Sequence, residues 1–311
     1  MSATFLHQIG ICIPTLNPGQ FAETQAASLS RQTLKPGAIL VIDSCSTDGS
    51  LSPYHEIGAT VMEIDPADFN HGGTRQRGAD SLGVEIVVFM TQDAILARPD
   101  TLSKLLECFE DPEVAAAYGR QLPRSNAGAI EAHARLFNYQ EHGRKISLED
   151  RKSLGIKAVF FSNSFAAYRY SDLVSVGGFP SNLILGEDSY VAAKMLSAGK
   201  KIAYCAESMV YHSHDYGFGE EFKRYFDTGV FHARAPWIRL KFGQLKGEGT
   251  KYVMSELRYL ARKQPLLIPS AMLRTAFKLA GFKLGLKERL LPVALKRRLS
   301  MNRSFWQNQV L

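Results

Sequence analysis

The stretch VEIVVFM at residues 84–90 is almost continuously apolar, and the polar sequence TQDA follows it at residues 91–94. Uninterrupted apolar runs of this length are typical of parallel strands that are buried on both faces of a sheet. Asp93 would then follow the end of a central strand. A carboxylate in this position projects from the sheet edge toward the crevice in which open α/β sheets bind their ligands.

Segments on either side of this strand alternate between strand-like and helix-like patterns. Residues 8–15 (QIGICIPT) and 38–43 (AILVID) predict strands, and residues 21–31 between them have apolar side chains at helical spacing. Further strands are expected at 59–64, 114–118, 158–168 and 201–212, and further helices at 74–82, 99–109 and 188–198. This alternation predicts an open α/β sheet with right-handed crossovers.

The rest of the chain completes the predicted organisation. Residues 120–157 are polar and irregular, which suits a loop excursion that faces a substrate. Beyond Tyr216 only helices are expected, at 220–234, 251–262, 270–284 and 286–299. We therefore predict an α/β domain at residues 1–235 and a basic helical region at residues 236–311.

Composition limits the class of protein. The chain has 311 residues, of which 45% are hydrophobic and 22% charged, enough for a sizeable core. Neither a secretory signal nor a charge-free apolar run long enough for a membrane span is recognised in the sequence. The cysteines lack CxxC spacing and are interpreted as reduced thiols of a cytosolic protein: Cys12, Cys45, Cys108 and Cys205.

Charge is distributed unevenly along the chain. Residues 246–303 contain fourteen basic and three acidic residues, a net charge of +11, whereas the whole chain carries +7, which leaves −4 for the rest. A mildly acidic body with a basic tail favours a localised anionic partner such as a membrane surface. Nucleic acid is not expected as a partner, because no helix-turn-helix, zinc-finger or RNP-like pattern occurs.

Carboxylates at the ends of two predicted strands are candidate ligands. Asp93 could hold a divalent cation bound to a diphosphate, which needs only one or two protein carboxylates; a turn or N-cap role is the alternative. Asp43 precedes the turn SCSTDGS at residues 44–50 and could accept the imide N–H of uracil or thymine. An Asx-turn that caps its own backbone is the alternative for Asp43.

Two further segments carry charge at predicted helix starts. In NHGGTR at residues 70–75, the glycines would let the backbone approach a ligand and Arg75 would offer a guanidinium to a diphosphate; a plain Gly-Gly turn is the alternative. Glu187 and Asp188 open another helix, where a carboxylate could deprotonate an acceptor hydroxyl or simply cap the helix.

Two histidines end the last predicted strand of the α/β body. His212 and His214 are two residues apart, so both side chains would point the same way, and one could complete a metal site. Solvated or hydrogen-bonded histidines are the alternative.

The order of these features resembles the inverting family 2 glycosyltransferases with the GT-A fold, over roughly residues 8–235. Three local sequences are similar to the bacterial rhamnosyltransferases that build surface polysaccharides: FNHGGTR at 69–75, TQDA at 91–94 and YHSHDY at 211–216. Many relatives have two aspartates as DxD where this chain has Gln92-Asp93-Ala94. That departure weakens the inference of tight metal binding, although the QDA form looks typical of the rhamnosyl subgroup.

The resemblance implies roles for individual residues. Asp93 would bind Mg²⁺ or Mn²⁺ with His212 or His214 nearby, and Asp188 would act as the base. Glu187 would orient Asp188 or touch the acceptor. The expected nucleotide-sugar-binding residues are Pro14, Thr15, Asp43, Arg75 and Gln92.

The implied reaction is a single in-line displacement from dTDP-β-L-rhamnose to a hydroxyl of a saccharide acceptor. A UDP-hexose donor is the alternative within the class, and a non-catalytic nucleotide-sugar-binding protein is the alternative outside it. An oxidoreductase is disfavoured, because IPTLNPGQ at residues 13–20 replaces the glycine fingerprint that a dinucleotide-binding sheet needs after its first strand.

Residues 266–299 mix apolar with basic side chains, as helices that lie in a membrane interface do. A lipid-linked or lipopolysaccharide-type acceptor and a cytoplasmic location at the inner face of the membrane would suit this interpretation. The alternatives are a helical cap packed on the body and self-association into a homo-oligomer.

Overall fold

The computed structural model describes residues 9–243 and 247–307. The strands within these ranges form one mixed sheet in the order β3-β2-β1-β4-β8-β6-β9-β5, with β7 paired to β9. They are β1 (Ile9–Thr15), β2 (Ala38–Asp43), β3 (Thr60–Glu63), β4 (Ile86–Met90), β5 (Ile95–Leu96), β6 (Val114–Leu122), β7 (Arg144–Ile146), β8 (Phe165–Arg169) and β9 (Lys201–Tyr211). Residue 8, the first of the predicted strand 8–15, lies outside the described ranges.

The helices flank the sheet on both faces and continue beyond it toward the C-terminus. They are α1 (Gln20–Ser30), α2 (Ser52–Glu56), α3 (His71–Leu82), α4 (Thr101–Leu106), α5 (Ala129–Asn138), α6 (Arg151–Leu154), α7 (Tyr170–Ser175), α8 (Glu187–Ser197), α9 (Phe218–Arg234), α10 (Pro236–Phe242), α11 (Glu248–Lys263), α12 (Ile268–Gly285) and α13 (Val293–Leu299). The predicted α/β architecture with a helical C-terminal region is confirmed.

The first four strands of the chain run parallel to one another and bring their carboxyl ends to one edge. β1 pairs with β2, and Thr15 lies opposite Asp43 at the last position of both strands. β4 is buried along its whole length, as its apolar sequence predicts. Its other neighbour, β8, is antiparallel. The loops after β1, β2 and β4 therefore meet at one edge of the sheet.

Two predictions for the middle of the chain were wrong. The expected strand 158–168 is extended only from Phe165 onward, where β8 begins, because residues 155–159 form a 3-10 turn instead. The expected irregular excursion at 120–157 contains the end of β6, helices α5 and α6, and β7. Its helix α5 packs on α11 through aromatic contacts of His133 with Tyr252 and Tyr259, which local sequence does not reveal.

Glycines allow α9 and α12 to pack with their backbones almost in contact. A Cβ atom on Gly285 would lie 2.1 Å from the carbonyl oxygen of Phe226, and one on Gly229 would lie 2.3 Å from that of Phe282. Such a close approach excludes any larger side chain without movement of a helix. The C-terminal helices are therefore packed directly on α9, across the boundary predicted at residue 235.

We expect Gly285→Ala to lower the free energy of unfolding by about 2 kcal/mol, because the added methyl group overpacks a backbone contact. Chemical denaturation measures the change. Gly219→Ala on α9 is the matched control, since a Cβ there meets nothing within 4 Å. Equal stability of the two variants would contradict the close packing of α9 and α12.

Candidate active site

The loops after β1 and β2 are cross-linked by side-chain hydrogen bonds. Asp43 accepts from the backbone N–H of Ser46 at 2.8 Å and from its hydroxyl at 2.5 Å, so its carboxylate caps the turn that follows β2. The Ser46 hydroxyl also accepts from the N–H of Asn17, and Asn17 Oδ1 accepts from the N–H of Thr47. As in the capping alternative considered from the sequence, the carboxylate thus binds its own following turn, and these bonds hold both loops together.

The other predicted nucleotide-binding residues of the sheet edge lie close to this turn. Pro14 and Thr15 end β1, and Thr15 is buried beside Asp43. Gln92 follows β4 and forms two hydrogen bonds with the backbone of Leu16. Its Oε1 accepts from the Leu16 N–H at 2.7 Å, and its Nε2 donates to the Leu16 carbonyl at 3.1 Å. The amide of Gln92 thus joins the loop after β4 to the loop after β1.

Asp93, His212 and His214 form a cluster with one candidate ligand atom each, and these atoms all lie within 4.8 Å of one another. His212 Nε2 is 3.2 Å from Asp93 Oδ1, and His214 Nδ1 is 3.8 Å from Asp93 Oδ2. A carboxylate and two imidazoles are a common ligand set for a divalent cation. The structure thus brings together the three residues that the sequence nominated separately.

Hydrogen bonds on the far side of His212 fix its tautomer. Gln121 Oε1 accepts from Arg135 Nη1 at 2.7 Å, which identifies this atom as the oxygen. His212 Nδ1 lies 2.8 Å from the same oxygen and must donate to it. In the neutral ring, Nε2 then carries a lone pair that faces the Asp93 carboxylate, an arrangement that a cation between them would relieve.

Burial keeps both histidines in the form that can bind a cation. It lowers the pKa of His212, and it lowers that of His214 to about 3, so both rings are neutral at pH 7. Burial also disfavours ionised Asp93, but the hydrogen bond and positive charge that His212 and His214 supply when they are protonated outweigh it and lower the pKa of the carboxyl. The cluster therefore offers an ionised carboxylate and neutral imidazoles.

Arg124, Gln121 and Arg135 complete this half of the site and were missed from the sequence. Arg124 Nη2 lies 3.1 Å from Asp93 Oδ2 and 2.6 Å from its carbonyl oxygen, and the guanidinium lies over the Phe21 ring. Gln121 and Arg124 lie at the carboxyl end of β6, which the predicted strand 114–118 stops short of. A longer strand prediction would have placed both at the ligand edge.

Arg75 and Glu187 form a buried ion pair on the other side of the site. Arg75 Nη1 is 3.1 Å from Glu187 Oε1 and also donates to the carbonyl of His71 at 2.9 Å. Asn163 Nδ2 donates to the same Glu187 oxygen at 3.1 Å. Glu187 is thus held inside the protein. Of its two anticipated roles, the contacts favour support of Asp188 over contact with an acceptor.

Asp188 is only partly buried and has a raised pKa. Burial and the negative charge of Glu187 raise the pKa of Asp188 to about 7, against the stabilising N–H groups of Ser189 and Asn163 at 2.7 and 3.2 Å. A carboxylate with a pKa near the working pH suits a general base, because it is ionised enough to accept a proton yet basic enough to hold it.

Gln121 and the loop at residues 162–164 join the cluster at Asp93 to the side of the site that contains Glu187 and Asp188. Gln121 Nε2 donates to the Ser162 hydroxyl at 2.8 Å, and the backbone N–H of Thr91 donates to the carbonyl of Ser164. Asn163, between these two contacts, bonds both Glu187 and Asp188. Hydrogen bonds through these residues thus connect Asp93 with Asp188, and we call the region between the two aspartates the cleft.

The C-terminal segment also reaches this cleft. Asp227 on α9 accepts from the backbone N–H groups of Met301 and Asn302 and from Asn302 Nδ2. Asn302 Oδ1 is then free to face His71 Nε2 at 3.3 Å. His71 begins α3, which carries Arg75, so residues 300–302 buttress the start of that helix. The glycines after His71 serve close packing, since a Cβ on Gly72 would lie 1.9 Å from the carbonyl oxygen of Pro180.

The model of Glycosyl transferase family 2 matches residues 10–177 of the chain. The chain is a family 2 glycosyltransferase. The O-antigen chain rhamnosyltransferase RfbN of Salmonella typhimurium (strain LT2) is 46% identical over 303 residues, which are 97% of this glycosyltransferase and 96% of the relative. WbaN of Salmonella anatum, another O-antigen chain rhamnosyltransferase, is 45% identical over 300 residues, with 96% and 95% of the two chains covered.

Solved structures agree with this glycosyltransferase in fold. The mannosyltransferase PcManGT from Pyrobaculum calidifontis, in complex with GDP-Man and Mn²⁺, has a TM-score of 0.57 at 18% identity, covering 97% of this chain and 86% of the other. S. aureus TarS 1–349 with UDP-GlcNAc has a TM-score of 0.54 at 14% identity, covering 91% of each chain. The predicted GT-A fold is confirmed.

A double-mutant cycle tests the buried pair in this glycosyltransferase. Arg75→Met and Glu187→Gln should each lower the free energy of unfolding by about 3 kcal/mol, because each leaves a buried charge without its partner. The double variant should lose clearly less than the sum. The exposed pair Lys104–Glu107 is the control and should show no measurable coupling. Additive losses at Arg75 and Glu187 would contradict the pairing.

Proposed function

We propose that this glycosyltransferase moves L-rhamnose from dTDP-β-L-rhamnose to a hydroxyl of a lipid-linked or lipopolysaccharide-type saccharide, with inversion at the anomeric carbon. Similarity of about 46% over nearly the full length to O-antigen chain rhamnosyltransferases supports the sugar and the class of acceptor. The observation that carries the mechanism is the hydrogen-bonded connection, through Gln121 and the loop that bears Asn163, between the cluster at Asp93, a candidate cation site, and the candidate base Asp188.

The residues of the cluster suit Mg²⁺ or Mn²⁺. Asp93 and His212 Nε2 would hold the cation, with His214 as a further ligand, and the tautomer of His212 supports this assignment. The bound cation would neutralise charge that develops on the departing dTDP. The solved complex of the mannosyltransferase PcManGT contains Mn²⁺ together with its nucleotide sugar, which supports the same use here.

Asp188 would accept the proton of the attacking acceptor hydroxyl. Asp188 is only half-buried, which leaves it accessible, and its raised pKa gives it the basicity for proton transfer near neutral pH. The new bond joins the acceptor oxygen to the anomeric carbon, and the bond from that carbon to the diphosphate breaks. Glu187, held by its ion pair with Arg75, would keep the pKa of Asp188 raised through its negative charge, without contacting the acceptor.

Two alternatives make different predictions from the same cleft. A UDP-hexose donor would use the same base and cluster, so donor selectivity separates it from the rhamnosyl proposal. A non-catalytic protein would bind nucleotide sugar without turnover in the presence of metal.

The outer surface of α12 supports peripheral membrane binding. Its basic residues Arg274 and Lys278 point inward and pair with Glu221 on α9. Its outward side chains between residues 272 and 280 are apolar, with Met272 59% and Leu279 52% exposed, and Lys283 is exposed near its end. Such a run of apolar side chains in solvent is unusual for a surface helix and marks an interaction face.

The surroundings of this face favour an anionic bilayer over a second copy of the chain. Lys283, Lys287, Arg289, Arg297 and Arg298 follow it in sequence and are exposed. In a dimer formed through this face, the basic residues of the two copies would repel each other, whereas the anionic headgroups of a bilayer would attract them. No helix in the described residues is long and apolar enough to cross a membrane, so α12 would lie on the surface.

Transfer assays with a saccharide acceptor test the reaction. With dTDP-β-L-rhamnose and Mn²⁺, the rate should rise with pH through about 7 and then level, because Asp188 must be ionised to accept a proton. Asp188→Asn should lower kcat by a factor of about 10³ while retaining dTDP binding. Full activity of Asp188→Asn would show that Asp188 is not the base. Faster transfer from a UDP-hexose would show that the donor is not dTDP-β-L-rhamnose.

Vesicle sedimentation tests membrane binding. The protein should sediment with vesicles that contain phosphatidylglycerol, less so at high salt, and remain in solution with pure phosphatidylcholine. Met272→Ser combined with Leu279→Ser should weaken binding about tenfold or more through lost apolar burial. Val174→Ser, at an exposed apolar residue of α7, is the control. A stable dimer in solution that buries α12 would contradict the proposal.

A further inference from the structure

The proposed transfer requires a group that stabilises the negative charge of the donor diphosphate. A sugar nucleotide brings a diphosphate whose negative charge increases as the bond to the sugar breaks, and enzymes usually meet this charge with a guanidinium as well as a cation. Three arginines near the cleft are already engaged: Arg75 by Glu187, Arg124 by Asp93, and Arg135 by Gln121. The guanidinium that meets the diphosphate is therefore expected elsewhere.

Arg224 on α9 is an exposed guanidinium beside the cation-binding cluster. Its Cζ lies 5.5 Å from the centre of the Tyr216 ring, and its Nη1 is 3.4 Å from the Tyr216 hydroxyl. Tyr216 in turn stacks on His214, with ring centres 5.1 Å apart and planes inclined by 23°. A continuous stack thus leads from the cluster through His214 and Tyr216 to Arg224.

Arg224 is exposed, so its guanidinium is available to a ligand. The stack through Tyr216 and His214 places it next to the cluster, where the diphosphate of a cation-bound donor would lie.

We infer that Arg224 binds the diphosphate of the donor and stabilises it as the leaving group, and that Tyr216 holds the guanidinium in position. This rests on the proposed transfer reaction and adds a catalytic residue to it. As the anomeric carbon bonds to the acceptor oxygen, the electron pair of the broken bond passes to the terminal phosphate oxygen, and the planar fork of Arg224 donates to that phosphate. The acceptor proton passes to Asp188.

A phosphate-binding role and a purely structural role of Arg224 predict different affinities for nucleotides. A guanidinium that only packs on Tyr216 would affect stability and leave nucleotide affinity unchanged. One that binds the distal phosphate distinguishes dTDP from dTMP, because dTMP lacks that phosphate. Affinity for the two nucleotides therefore reports on the assignment without any need for turnover.

Isothermal titration calorimetry with dTDP and dTMP in the presence of Mn²⁺ tests the role of Arg224. Arg224→Ala should weaken dTDP binding at least tenfold, about 1.4 kcal/mol, and leave dTMP binding unchanged. Arg224→Lys should recover part of the loss, since it keeps the charge without the fork. Tyr216→Leu should give a smaller loss for dTDP. Lys223→Ala, at the neighbouring basic residue of α9, is the control and should bind both nucleotides as the parent does.

Three outcomes would overturn the inference, and one of them would also overturn the proposed function. If the parent binds dTDP and Arg224→Ala binds it equally well, the assignment of Arg224 fails and the proposed transferase remains. If the parent binds neither dTDP nor UDP with Mn²⁺, the proposed function fails and the assignment fails with it. Equal weakening of dTDP and dTMP would indicate a general disturbance of the cleft and would also refute it.

Discussion

The hydrogen bond between His212 Nδ1 and Gln121 Oε1 is the contact on which the organisation of the cleft depends. It selects the tautomer of His212 and directs the Nε2 lone pair toward Asp93. Through its amide nitrogen, the same glutamine holds Ser162 and with it the loop that bears Asn163. One buried side chain thus sets the geometry of the Asp93–His212–His214 cluster and its position relative to Asp188.

The two aspartates show how surroundings differentiate chemically identical groups. Asp93 lies beside His212 and His214, whose protonated forms lower its pKa, and the guanidinium of Arg124 lies 3.1 Å from its Oδ2. Asp188 lies next to the carboxylate of Glu187, which raises its pKa. Their pKa values differ because Asp93 follows the end of β4 and Asp188 lies at the start of α8, and the two positions have different neighbours. Carboxylates separated in this way are suited to different tasks in one reaction.

Features encoded in local sequence were predictable, and features that depend on distant partners were not. The strand 38–43 and the ends of β1 and β4 follow from apolar patterning, so Asp43 and Asp93 could be placed at the sheet edge in advance. The pairing of Arg75 with Glu187 joins residues far apart in the chain, which periodicity cannot reveal. The composition of residues 266–299 likewise indicated apolar and basic character, but not that Arg274 and Lys278 turn inward.

The contact of Asn302 with His71 has a consequence for the order in which the protein matures. The α/β sheet can form from the first two thirds of the chain while synthesis continues, since N-terminal units generally fold first. The buttress on α3 is added only after residue 302 has left the ribosome and Asp227 has captured the backbone that precedes it. A nascent chain would therefore possess the nucleotide-sugar fold before it possesses a finished cleft, which delays full assembly of the site until the last helices have docked.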